Sequence, residues 1–142
     1  LEDGSVQYLL GRLEQTTAAL TARLSYTFTP DLSLQWYAQP FISAGQYSDF
    51  LEVADPRAPA FGDRYRASAV SLDPDFNVKR LRSNAVLRWE YRPGSALFLI
   101  WNSDLSDNAY YGPFDFGRDT GRLFQADGTN VLLLKVSYWF GM

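Results

Sequence analysis

Residues 130–142 read NVLLLKVSYWFGM, and in this run Leu132, Leu134, Val136, Tyr138 and Phe140 alternate with Leu133, Lys135, Ser137 and Trp139. A period of two places successive side chains on opposite faces of a strand. One face is then wholly apolar and ends in aromatics, while the other mixes Lys and Ser with bulky groups. A wall between lipid and a polar lumen carries this pattern, which suits the closing strand of an outer-membrane β-barrel. In that reading Val136, Tyr138 and Phe140 form the membrane-insertion signal. The following Gly141 and Met142 depart from a signal that finishes on its aromatic.

The same rhythm recurs upstream. Within 12–28, Leu20, Ala22, Leu24, Tyr26 and Phe28 oppose Thr21, Arg23, Ser25 and Thr27, and residues 6–13 are either an earlier strand or its extension. Thr29, Pro30 and Asp31 make a tight turn. A second strand follows at once, with Leu32, Leu34, Trp36 and Ala38 against Ser33, Gln35, Tyr37 and Gln39. From Phe76 onward, Leu81, Ser83, Ala85, Leu87, Trp89 and Tyr91 oppose Arg80, Arg82, Asn84, Val86, Arg88, Glu90 and Arg92. Pro93, Gly94 and Ser95 turn this strand into the nearly continuous apolar segment 96–102.

Two stretches lose the alternation and gain Pro, Gly and Asp, so long loops are expected near 45–75 and 104–129, with a helical turn around 118–125. Short and long connections thus alternate. In outer-membrane barrels the short turns are periplasmic and the long loops extracellular, so the last strand would run inward and end in the periplasm. The expected fold is all-β, an up-and-down antiparallel meander of five or six long strands, with residues 1–142 forming a single segment of a transmembrane barrel.

Composition is compatible with this and excludes other classes. Four Trp, nine Tyr and ten Phe stand in a chain whose mean hydropathy is only -0.22, and amphipathic aromatics gather where apolar surface meets water. The apolar runs fall far short of the roughly 20 residues that a membrane helix needs, whereas a tilted strand crosses with about 9–11. A net charge of -3 and the absence of His disfavour a nucleic-acid partner. Without Cys there is no disulfide or thiolate metal site, and without His or Cys the usual nucleophile systems are missing. Paired acids such as Asp73 with Asp75, or Asp115 with Asp119, leave hydrolysis as a remote option. No catalytic group and no cofactor is expected. The chain opens on Leu1 with no secretory signal, so it reads as a mature piece or a fragment.

Three stretches, residues 21–53, 81–102 and 121–141, carry the phrases YTFTPDLSLQ, YAQPF, RWEYRPGS and NVLLLKVSYWFG. Through them the chain resembles the C-terminal barrel region of the family catalogued as domain of unknown function 5916. The resemblance implies a Gram-negative envelope protein with a carbohydrate-binding-like module ahead of the barrel, a module without counterpart in this chain. It implies no catalytic residues.

Candidate binding groups fall in two places. Arg80, Arg82 and Arg88, with Arg92, Arg23 and Lys135, either form a cationic lumen wall for anions such as acidic saccharides or make structural ion pairs. Tyr110, Tyr111, Phe114 and Phe116 either stack on sugar rings or pack the loop against the barrel mouth. Asp104, Asp107, Asp115 and Asp119 match no calcium loop template.

The expected role is an outer-membrane pore, scaffold or saccharide-related surface receptor. Its expected partners are outer-membrane lipid, the barrel-assembly machinery, and missing upstream strands of the same protein or a second copy joined at the sheet edges. The alternative is a soluble β-barrel binding module holding an apolar ligand, with the faces reversed: Leu20, Leu24, Leu34, Trp36, Leu87, Trp89, Leu132 and Val136 would point inward.

Overall fold

The computed structural model describes residues 8–68 and 73–141; residues 6 and 7 of the doubtful first strand, 69–72 of the first expected loop, and Met142 lie outside the described residues. All seven strands join one antiparallel sheet: β1 (Leu9–Ala19), β2 (Ala22–Thr29), β3 (Leu32–Val53), β4 (Tyr65–Ala67), β5 (Phe76–Arg92), β6 (Ser95–Asp107) and β7 (Gly128–Ser137). The order is β1-β3-β5-β6-β7, with β2 and β4 also paired to β3. The sheet does not close: among the described residues β7 pairs only with β6, and β1 and β2 only with β3.

Both short turns lie where proline demands them. Pro30 and Asp31 link β2 to β3, and the Asp31 amide donates to Thr29 Oγ1 at 3.3 Å. Between β5 and β6 the chain reverses at Pro93 and Gly94. Gly94 has φ +79°, a conformation that disfavours any side chain, and its α-carbon lies against the Trp139 side chain.

β1 and β2 lie end to end along β3, interrupted at Leu20 and Thr21, with the Leu20 amide still donating to Pro40 O at 3.1 Å. The upstream segment is therefore a continuation of the first strand, and among the described residues the long strands number five, the lower of the two expected counts.

The expected loop boundaries need correction. β3 passes through Gly45 and continues to Val53, so the loop near 45–75 begins at 54 and contains the single-turn helix α1 (Phe61–Arg64) and β4. Gly45 is a ladder residue opposite Phe76, whose ring occupies the space a Cβ would need. In a strand, glycine marks such a close approach as often as it marks a break. A bulge lies nearby: Leu10 pairs with Leu51 but Arg12 with Ser48, and Asp49 takes φ +53° in the extra length. The second loop is also shorter than 104–129, because β6 runs to Asp107 and helix α2 (Phe116–Phe124) occupies its middle. Asp115 caps α2 by accepting from the Arg118 amide at 2.8 Å. β7 ends at Ser137, three residues short of the last expected aromatic.

Candidate functional site: the two faces of the sheet

Register assigns every side chain to a face. Across one face run the rows Tyr26–Leu34–Leu87–Leu99–Leu134 and Leu24–Trp36–Ala85–Trp101–Leu132, with Leu32–Trp89–Leu97–Val136 beside them. Most of this surface has nothing on it. Leu132 is 67% exposed, Leu134 65% and Val136 59%, and Leu24, Tyr26, Trp36, Trp89 and Trp101 are exposed as well. A monomer in water rarely leaves so large a contiguous apolar surface bare.

Aromatics bound this face toward the short turns. Tyr26 stacks edge-on against Phe28 at 4.8 Å, Trp89 against Tyr91 at 5.9 Å and Tyr138 against Phe140 at 4.5 Å. The Arg92 guanidinium lies over the Tyr138 ring at 5.3 Å, and Tyr91 Oη donates to Ser137 O at 3.2 Å. Higher on the face, Trp36 Nε1 donates to Ser83 Oγ at 2.9 Å and Trp101 Nε1 to Asn130 Oδ1 at 3.3 Å. Each indole thus keeps an apolar body with a satisfied polar tip.

The opposite face carries Arg23–Tyr37–Asn84–Asn102, Ser25–Gln35–Val86 and Thr27–Ser33–Arg88, and becomes apolar only toward β6 and β7 at Phe98, Ile100, Val131 and Leu133. Asn84 donates through its side-chain amide to Asn102 Oδ1. The arginine ladder is internally compensated: Arg80 and Arg82 share Asp104 at 3.4 and 3.5 Å, and Arg88 pairs with Glu90 at 3.0 Å. These pairs are half exposed and each contributes about 0–1 kcal/mol.

Above its bare part the apolar face is covered. Helix α2 lies on it, and Leu123, 1% exposed, packs with Ile42 and Leu81, with Leu105 and Phe114 around them. Beside this small core is a charged hub. Asp119, fully buried, accepts from the Asp115 amide at 2.9 Å, from Arg118 Nε and Nη2 at 3.0 Å, and from Asn77 Nδ2 at 3.3 Å. Burial pushes its carboxyl up, but these donors outweigh burial and hold it below the usual carboxylate range. Lys79, also fully buried, reaches Asp107 at 3.8 Å and lies over the Tyr111 ring at 5.0 Å, with Arg122 over the same ring at 4.2 Å.

The four loop aromatics are not one platform. Tyr110 donates to Asp75 Oδ2 at 3.2 Å and accepts from Gln46 Nε2 at 3.3 Å; Tyr111 is engaged by the two cations; Phe114 belongs to the core. Phe116, 66% exposed, stands apart on α2. Val136 lies on the bare face, whereas Tyr138 and Phe140 follow the end of β7, exposed and packed edge-on against each other. Sequence reasoning passed over Asn77 and Lys79, although a lysine in the apolar-facing register of β5 was a visible anomaly, and it weighed Asp119 only as a calcium ligand or a hydrolytic acid. Among the described residues no cluster of His, Cys, Asp or Glu is arranged to hold a metal ion.

No curated protein and no solved structure matches the chain. A family model does, over residues 2–142, and its description is Domain of unknown function (DUF5916). With a match over nearly its whole length and the phrases YTFTPDLSLQ and RWEYRPGS in place, this two-faced antiparallel chain belongs to the DUF5916 family.

Proposed function

We propose that this chain is a wall segment of an outer-membrane β-barrel, in which it acts as part of a pore, scaffold or surface receptor. One observation carries the reading: the apolar positions of this face, bare on β7 and passing under α2 at Ile42 on β3, form an oblique band. On β7 its upper limit is Leu132, in register with Trp36 of β3, whereas on β3 it continues to Ile42, six residues further. At the lower limit, β3 starts at Leu32, in register with Val136, while the apolar positions after β7 go on to Phe140, four residues further.

Offsets of four to six residues amount to about 13–20 Å of strand across three interstrand steps of about 4.8 Å each. A flat lipid boundary crossing strands that lean by about 35–45° produces an offset of this order. A core packed against a partner protein has no reason to follow such a line. The aromatic pairs at the short turns suit an interfacial girdle, and the polar face suits a lumen with compensated charges.

The partners follow from exposed groups. Lipid covers the band, the assembly machinery reads Val136, Tyr138 and Phe140, and the free edges of β1, β2 and β7 take strands of the same protein or of another copy. Saccharides would meet the loop end, where Tyr110 and Tyr111 remain 40% exposed.

The test is fluorescence of the chain refolded into vesicles containing acyl-brominated lipid. Trp36 and Trp101 should be strongly quenched. A monodisperse monomer in detergent-free buffer, with both indoles unquenched on adding vesicles, would overturn the proposal in favour of a soluble module with this face inside.

A further inference from the structure

Between α2 and the sheet runs a groove of about 350 Å³. Ala18, Leu20, Pro40 and Ile42 form its sheet side, and Phe116 and Phe124 its helix side. Thr120 is the only polar side chain lining it.

Helical spacing explains the groove. Phe116, Thr120 and Phe124 follow one another at intervals of four and form one ridge, whereas Leu123 and Asp119 point down into the core and the hub. The ridge is therefore not what holds the helix in place, and Phe116 and Phe124 remain 66% and 65% exposed. Across from it the wall is low, because Ala18, opposite Ile42 in the ladder, has little side chain to fill the space. The groove opens directly onto the bare apolar face. Leu20 is its lip, and Ala22, Leu24 and Trp36 continue the same face below.

We infer that this groove seats one hydrocarbon chain of a bilayer lipid, clasped between α2 and the upper end of the apolar band. The inference rests on the membrane reading above and adds an occupant to it. An uncharged lining and an open lower end suit an acyl chain whose headgroup stays at the boundary. Phe116 and Phe124 then flank the methylenes at the depth where aromatic side chains prefer to lie.

The experiment measures lipid retained by the chain after transfer from vesicles into mild detergent, by native mass spectrometry, for the wild type, for Ala18→Phe, which fills the groove, and for Phe124→Ser. The Phe124 side chain is exposed, so its loss leaves the core of α2 intact. The expected result is one retained lipid in the wild type and a fall of about tenfold in both variants, the loss of roughly two methylenes' worth of contact. Quenching of Trp101 by brominated lipid should be the same in all three. If Trp101 is quenched but the wild type keeps no lipid, or Phe124→Ser keeps as much as the wild type, the groove has no such occupant and the membrane reading stands. If Trp101 is not quenched in the wild type, both fall together.

Discussion

The same sheet face lives in two environments. Below the Pro40–Leu81–Leu105 row, Leu34, Trp36, Trp101 and Leu132 have no covering layer; from that row upward, Leu81, Leu105 and Ile42 lie under Leu123 and Phe114. Both halves are built by the same alternation on the same strands. The difference is that the upper half supplies its own cover, a helix capped by Asp115 and pinned by Asp119, while the lower half leaves its cover to the surroundings. Apolar pattern alone therefore says that a face will be buried without saying by what.

The comparison breaks most sharply at Leu123. Leu123→Ala should cost about 2–5 kcal/mol where α2 meets the sheet. Hydrogen exchange should show protection lost over 116–124 and largely kept in the lower rows of β5 and β6. Loss across the whole sheet would mean that the two halves are one cooperative unit.

Leu134 tests the other half. Leu134→Arg should cost about 2–4 kcal/mol when the chain is folded in a bilayer. Its neighbours there are lipid and it is already exposed, so the same change in a water-soluble state would stay within about 0.5 kcal/mol. Urea titrations in vesicles separate these outcomes.

A smaller effect belongs to the hub. Asp119→Asn leaves Arg118 without its ion pair and should cost about 1–3 kcal/mol at neutral pH. Because the carboxyl is held below its ordinary range, its stabilisation is complete above about pH 4 and disappears as pH falls through the lowered value. The gap between wild type and variant should narrow steadily as pH falls below the ordinary carboxylate range, in denaturation monitored by circular dichroism; a gap independent of pH would show that charge is not the reason.

The smallest effect is expected on the polar face. Asp104→Asn removes the shared partner of Arg80 and Arg82 yet should change stability by less than about 1 kcal/mol. What should change is anion capture, read as salt-sensitive binding of a sulfated polysaccharide that the wild type binds less.

Much of this division was visible in the residues. Pro30 and Pro93 located both turns, and the alternations around Leu87 and Leu132 gave the right face to each side chain. What misled was glycine and a broken rhythm: residues 45–53, GQYSDFLEV, do not alternate cleanly, yet their backbone pairs with β1 and β4, because ladder bonds do not need alternating side chains. The arginines and their option of structural ion pairs, Glu90 among the partners, were recognised, but Asp104 looked like the start of a loop, so its pairing with Arg80 and Arg82 was not visible. Asn77 only acquires meaning once α2 brings Asp119 over it, a contact separated by about forty residues of chain, and Lys79 once Asp107 and Tyr111 close on it.

β3 has a further consequence. Of its 22 residues, those from Ser43 to Val53 lie beyond the apolar band, a length of about 35 Å at roughly 3.3 Å per residue. In a membrane this part, braced by β1 and β4, would be a rigid stalk. The loop surface around Tyr110, tied to that stalk through Gln46, would then meet its targets at a stand-off from the lipid headgroups. Shortening the stalk by a matched pair of residues in β1 and β3 would lower that surface without touching a single binding group.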